Sequence, residues 1–280
     1  MCEFCAKHGD GGKWYFQAKN YSEDLASDLR RVRTTAKVMA YFQDGLAKDL
    51  SQVESSFPRL PQVGRQLLGS LISRRYKKEH FGQVVPIEDV EAIFGMVNSI
   101  VRVPCVCRAV TVGREVRYCL GIGLLPDIIR KGQMLDGSYG SGPDTTGMDV
   151  LTTDEALEFM RDLEKNGVMH SIWTFGTPFI GAVCNCDRSD CVAMRTRVNH
   201  GIKIMFKGEY VASVDRDSCT GCRQCMRLCQ FGAMGYSASD EKAYIDPFRC
   251  FGCGVCRAGC ANDAISLAER KEIPLLANDW

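Results

Sequence analysis

The longest apolar periodicity in the chain covers 22–55. Leu25, Leu29, Val32, Ala36, Met39, Leu46, Leu50 and Val53 recur at steps of four and three, with Gln43 in the stripe. This is the spacing of one helical face. Pro58 and Pro61 end the pattern, because proline lacks the N–H that a helix interior uses. One long helix is therefore expected, packed on the rest of the protein or offered to a partner subunit. Helical patterns follow over 64–80 and 87–99. The first carries Arg74-Arg75-Tyr76-Lys77-Lys78, read as a solvated face. Residues 100–103 are apolar and strand-like and lead into Cys105, and the segment 114–123 carries Cys119.

Residues 131–148 are rich in Gly, Ser, Asp and Thr and read as a loop or insertion. Their glycines do not form a dinucleotide fingerprint, since the order is wrong and no strand precedes them. Thr152 with Glu155 fits a capping box. The helix it opens turns Ala156, Leu157, Met160 and Leu163 inward, and Asn166-Gly167 ends it. Residues 168–175 and 179–183 read as two strands about a Gly-Thr-Pro turn that lead into Cys184. A short helix is expected over 189–199 and a strand over 210–215.

Composition adds little until the cysteines are counted. The chain has 280 residues, 45% apolar and 25% charged, which suits a globular protein of two or three domains. A net charge of +1 gives no bulk electrostatic case for nucleic acid or an anionic membrane. No run approaches the roughly 18 apolar residues of a membrane helix. The start, Met1-Cys2-Glu3-Phe4-Cys5, lacks a signal-peptide layout, so a cytoplasmic location is expected. Sixteen cysteines change the picture, because clustered thiols in a reducing compartment are metal ligands more often than disulfides.

Cys219, Cys222, Cys225 and Cys229 are spaced C-x2-C-x2-C-x3-C, and Cys250, Cys253, Cys256 and Cys260 repeat that spacing 31 residues later. Val214-Asp215 matches Ile245-Asp246, Gly221 matches Gly252, and Ala233-Met234 matches Ala264-Ile265. Each half thus reads as strand, cysteine loop, helix. A tight loop with a cysteine at every third position can wrap three corners of a cubane, and the fourth cysteine points toward the other half.

Over 210–268 the sequence resembles the bacterial two-cluster ferredoxins, in which the fourth cysteine of each run ligates the other cluster. The resemblance implies two 4Fe–4S clusters, one on Cys219, Cys222, Cys225 and Cys260, the other on Cys229, Cys250, Cys253 and Cys256. It departs from the family where proline usually follows the fourth cysteine. Gln230 and Ala261 stand there, which is expected to loosen the turn into each helix. Arg223, Arg227, Arg249 and Arg257 lie in or beside the runs, and residues 209–268 carry six Lys+Arg against seven Asp+Glu. Positive charge near a cluster favours its reduced form, so these arginines are candidates for tuning the potential or for docking a partner.

Eight cysteines remain. Cys105, Cys107 and Cys119 precede the 131–148 segment, and Cys184, Cys186 and Cys191 follow it. A further iron–sulfur cluster, a zinc site of four thiolates and unligated buried thiols are the competing readings. The arrangement Cys-x-Cys-Arg, helix, Cys-Asn-Cys-Asp loosely resembles uncharacterised cysteine-rich anaerobe proteins with a ferredoxin module. Cys2 and Cys5 form a C-x2-C pair near His8; free thiols and metal ligands, the latter by joining the six thiols among other ways, are both open readings of the pair. His170 reads as a hydrogen-bonding structural residue.

The expected fold class is α+β: a mostly helical N-terminal region with a small β-hairpin, then a ferredoxin-like pseudo-twofold dicluster domain. The expected divisions are a helical docking region over 1–100, a cysteine-containing domain over 101–205, the two-cluster domain over 206–270 and a tail over 271–280. The leading function is an electron-transfer subunit or adaptor that relays single electrons to or from a redox enzyme and transforms nothing itself. A self-contained oxidoreductase acting at the upstream cysteines is the alternative. A redox-sensing DNA-binding regulator of winged-helix outline is weaker, because the candidate groove helix over 153–165 is acidic.

Overall fold

Val84 and Val85 are both fully buried, yet they belong to different hydrophobic clusters. That is the two-residue period of a strand covered on both faces, and it organises the molecule. The computed structural model describes residues 2–114, 116–123 and 149–280. The loop expected over 131–148 lies outside them.

The chain opens with α1 (Glu3–His8), then α2 (Glu23–Ser27), α3 (Leu29–Asp44), α4 (Leu46–Ser55) and α5 (Gln62–Glu79). The single long helix expected over 22–55 is broken twice. Asp28 leaves helical geometry at ψ 126°, and its carboxylate accepts the Arg30 and Arg31 N–H groups at 3.1 and 3.3 Å, capping α3. Gly45 makes the second break, where a Cβ would sit 2.5 Å from the Tyr41 ring. The apolar stripe divides accordingly. Val38, Leu46 and Leu50 are buried, while Leu29 and Val32 face solvent.

Next come β1 (Gly82–Val85), α6 (Ile87–Phe94), β2 (Ser99–Val103), α7 (Val106–Val112), β3 (Cys119–Gly123), β4 (Asp149–Val150) and α8 (Thr153–Glu164). They are followed by β5 (Met169–Thr174), β6 (Ile180–Cys186), α9 (Val192–Met194) and β7 (Met205–Phe206). The Thr152–Glu155 capping box forms at the start of α8, with Thr152 N–H donating to Glu155 at 2.8 Å. The strands make one seven-stranded sheet, ordered β4-β2-β3-β6-β5-β1-β7. Only β1 and β7 pair parallel among these strands. The expectation of a small hairpin therefore understates the sheet. β5 and β6 do pair antiparallel, but as central strands rather than a projecting wing. The sheet was hard to read because its strands are short and buried on both sides, which removes the polar alternation of a half-exposed strand. Its ladder also crosses position 100, since β1 and β2 share it.

One face of the sheet carries Val85, Leu120, Ile122, Ile172 and Val183, packed against α6, α8 and the aromatic group Phe4, Trp14 and Phe81. The other face carries Cys119, Ala182, Cys184, Cys186 and Trp173 and looks toward α3, α4 and α5.

The last part holds β8 (Tyr210–Val214), α10 (Gln224–Leu228), β9 (Met234–Ser237), β10 (Lys242–Ile245) and β11 (Ile265–Glu269). β8 pairs with β11, and β9 with β10, both antiparallel. No described helix is long and apolar enough to cross a membrane.

Candidate metal centres

The two C-terminal cysteine runs are held by the same local bonds. Cys219 N–H reaches Asp215 O at 3.1 Å, and Cys250 N–H reaches Asp246 O at 3.0 Å. Asp215 N–H bonds Ala264 O, and Asp246 N–H bonds Ala233 O, both at 2.8 Å. Two residues after each leading cysteine stands a glycine at positive φ, Gly221 at 70° and Gly252 at 72°. A Cβ there would lie 2.1 Å from a carbonyl oxygen, of Glu241 and Tyr210 respectively. Glycine is required at both positions by conformation and by space.

This loop geometry turns backbone N–H groups onto sulfur. Ala212 and Gly252 donate to Cys250 Sγ at 3.4 Å, Ala233 to Cys229 at 3.2 Å and Ala264 to Cys260 at 3.3 Å. N–H donors from Ala243 and Gly221 hold the Cys219 thiol below its usual range. Burial pushes Cys225 and Cys250 up, Cys253 well up and Cys256 to about 12. Four-thiolate sites need such donors around the sulfurs, and a metal would have to replace the thiol protons.

The last cysteine of each run lies near the first three of the other. Cys260 lines one small cavity with Cys219, Cys222 and Cys225. Cys229 acts electrostatically on Cys250, Cys253 and Cys256. The donor sets, four thiols each with N–H groups aimed at them, fit cubane ligation. Of the sixteen cysteines only Cys222 is exposed.

Gln230 does not loosen the turn it occupies. Its Oε1 accepts the Arg188 N–H at 3.0 Å and its Nε2 donates to Gly167 O at 2.9 Å. It thus ties the first cysteine loop to the end of α8 and to the segment after β6. Of the four arginines, Arg257 forms a two-pronged ion pair with Glu88 of α6, at 2.6 and 2.8 Å. Arg223 lies 3.9 Å over the Tyr236 ring. Arg227 reaches Gln224 at 3.4 Å, and Arg249 is exposed.

The sheet gathers the six upstream cysteines. Cys184 and Cys186 share a face of β6 by strand alternation, and Cys119 begins the neighbouring β3. Cys105 precedes α7, with Cys107 in its first turn, and Cys191 precedes α9. Cys105 neighbours Cys107 and Cys119, Cys119 neighbours Cys184, Cys107 neighbours Cys191, and Cys191 neighbours Cys186, each pair close enough for one thiol to shift the other's titration. The six thiols form one continuous series of neighbours. Hydrogen bonds from Cys107 and Cys119 hold Cys105 well below the usual thiol range, with the charge of Arg108 adding to them. Cys107 and Cys119 are correspondingly raised.

Arg108 is buried among them. Its Nη1 is 3.6 Å from Cys105 Sγ and 3.0 Å from Asn185 O, its Nη2 pairs with Asp187, and its guanidinium lies 4.0 Å over the Tyr118 ring. Asn185 Oδ1 in turn accepts from His170 Nδ1 at 2.7 Å, so His170 braces this wall by hydrogen bonding. All six thiols line a largely apolar cavity of about 630 Å³, closed on the far side by α3, α4 and α5.

Cys2 and Cys5 do not join the six. They sit in the aromatic cluster on the opposite face of the sheet, and their neighbour is Glu209. The sequence could not have named Glu209, which lies 204 residues from Cys5. The Cys-Asn-Cys-Asp spacing points to Asn185 and Asp187, but not to the distant Arg108 that both of them hold.

A family model described as a 4Fe-4S dicluster domain matches residues 218–265. The chain is 34% identical over 59 residues to an archaeal-type glutamate synthase [NADPH] of Thermotoga maritima, covering 21% of this chain and 12% of that protein. It is 33% identical over 63 residues to the indolepyruvate oxidoreductase subunit IorA of Pyrococcus abyssi, covering 22% of this chain and 10% of that one. The chain thus spans only about a tenth of these relatives' length. Its C-terminal part is an iron–sulfur domain of the dicluster type.

Proposed function

We propose that the chain is an iron–sulfur electron-transfer subunit or adaptor that relays single electrons to or from a redox enzyme. One cluster would be held by Cys219, Cys222, Cys225 and Cys260, the other by Cys229, Cys250, Cys253 and Cys256, in a domain of pseudo-twofold design over 206–270. The carrying observation is that Cys260 lines the cavity of the first three cysteines, which is what exchange of fourth ligands requires. The clusters supply one-electron chemistry. The chain's own residues shield the sulfurs other than Cys222 from water and aim N–H donors at several of them. The names of the similar proteins, an NADPH glutamate synthase and an oxidoreductase subunit, support a redox enzyme as partner.

The six-thiol set is read as a further metal centre, a third cluster or a zinc ion. Support comes from packing: Cys186, Cys191, Phe231, Phe251 and Val255 share one apolar cluster, with Cys229 and Cys253 against it. A redox centre on the six thiols would therefore neighbour the second cysteine set without intervening solvent. Iron and acid-labile sulfide counts on anaerobically purified protein test both readings. About eight irons per chain fit two cubanes alone, and about twelve fit a third. About eight irons with one zinc fit the tetrahedral alternative. Fewer than about eight overturn the dicluster assignment.

A second reading, a self-contained oxidoreductase, is favoured by the 630 Å³ apolar cavity on the six thiols, a volume suited to a small ligand. Turnover with an artificial donor by the pure single chain supports it. Strict dependence on a second subunit overturns it.

A further inference from the structure

We propose that Cys2, Cys5 and Glu209 bind one thiophilic divalent cation of the Zn²⁺ class, at a site separate from the six-thiol set and from both C-terminal cysteine sets. The three ligand atoms lie within 4.8 Å of one another. Cys2 Sγ is 3.2 Å from Cys5 Sγ, which is 3.0 Å from Glu209 Oε1. Exposure is 1% for each cysteine and 2% for Glu209, so these are interior groups rather than surface residues that happen to meet.

Glu209 supplies the second argument. A buried carboxylate is costly unless a cation or several donors compensate it. Among the described residues, no cationic side chain forms an ion pair with it. Arg270 is buried and feels its charge, but sends its donors to the carbonyl oxygens of Gly208, Tyr210 and Cys250. What faces the carboxylate instead is a pair of thiols. Two sulfurs and one carboxylate oxygen form a donor set that zinc accepts and that magnesium and calcium do not favour.

The surroundings hold these groups in place. Gln83 Nε2 donates to Glu209 Oε1 at 3.2 Å and lies 3.9 Å from Cys2 Sγ, while Trp14 Nε1 donates to Gln83 Oε1 and fixes which way the amide faces. An orienting hydrogen bond of this kind is the usual support of a metal ligand. Cys2 and Cys5 are joined across the first turn of α1 by the Cys5 N–H to Cys2 Sγ bond at 3.3 Å. Glu209 immediately precedes β8. A cation here would clamp the start of the chain to the entrance of the dicluster domain.

The test compares full-length wild type with Cys5→Ser and Glu209→Gln, purified anaerobically, incubated with zinc, desalted and analysed for zinc and iron together. Each variant is expected to lose about one zinc per chain at unchanged iron. Cobalt in place of zinc should give a thiolate charge-transfer band that falls in both variants. Zinc should raise the melting temperature of wild type but not of Glu209→Gln. Glu209→Gln keeps the side-chain shape, so it carries the test if Cys5→Ser folds poorly. Wild-type zinc content and zinc-dependent melting in Glu209→Gln overturn the proposal, as does a wild type that binds no more zinc than Cys5→Ser.

Discussion

The rings of Phe231 and Phe251 stack 3.9 Å apart at an interplanar angle of 3°. Phe251 follows the first cysteine of the second run, and Phe231 stands two residues beyond the fourth cysteine of the first. Both rings are buried in the apolar cluster that also holds Cys186 and Cys191. Phe231→Ala should destabilise the protein by about 3 kcal/mol, the usual loss for a buried phenylalanine. Phe231→Leu should cost less. Denaturant midpoints under anaerobic conditions measure both.

The exchange of fourth cysteines gives a crossed expectation. Cys260→Ser, in the second run, should remove the cluster of the first three cysteines, Cys219, Cys222 and Cys225. Cys229→Ser, in the first run, should remove the cluster of Cys250, Cys253 and Cys256. Each variant should fall from about eight irons toward about four. Electron paramagnetic resonance of the reduced variants should show a different surviving signal in each.

Neutralising Arg223, Arg227, Arg249 and Arg257 together should make the cluster potentials more negative, because nearby positive charge favours the reduced, more negative cluster. Potentiometric titration of the full chain measures the shift. An unchanged potential would leave these arginines with packing and docking roles, such as the Arg257–Glu88 pair.

His80 gives a pH dependence. Burial lowers its pKa to about 4, against a bond from its Nδ1 to Thr174 O at 2.6 Å. The folded chain keeps the ring neutral while the unfolded chain protonates it below about 6.5. Stability from this group is therefore complete above pH 6.5 and declines as pH falls toward 4. Between pH 7.5 and 5.5 the loss should be about 1 kcal/mol. His80→Asn should show a smaller change in unfolding midpoint over that interval.

Much of the C-terminal domain was legible because its determinants are local. The cysteine spacing, the positive-φ turns at Gly221 and Gly252 and the Thr152–Glu155 capping box are each set within a few residues. The gathering of the six upstream thiols was not legible, because it depends on β3 lying beside β6 in register, Leu120 opposite Val183. Glu209 was invisible for the same reason, since nothing near it in sequence relates it to Cys5. Gln230 was misread for a different one. The missing proline is a local signal, while the two bonds that replace its stiffening reach distant backbone at Gly167 and Arg188.

The exposure of Cys222 has a directional consequence. Every other described cysteine is buried or half-buried; Arg257 ties the second cysteine loop to Glu88 of α6, and Phe251 of that loop stacks on Phe231. On the proposed ligand assignment, one cluster thus has a window on solvent and the other looks inward. A soluble partner would exchange electrons at the rim formed by Cys222, Arg223 and Arg227, and the molecule would act as a wire with one outer terminal.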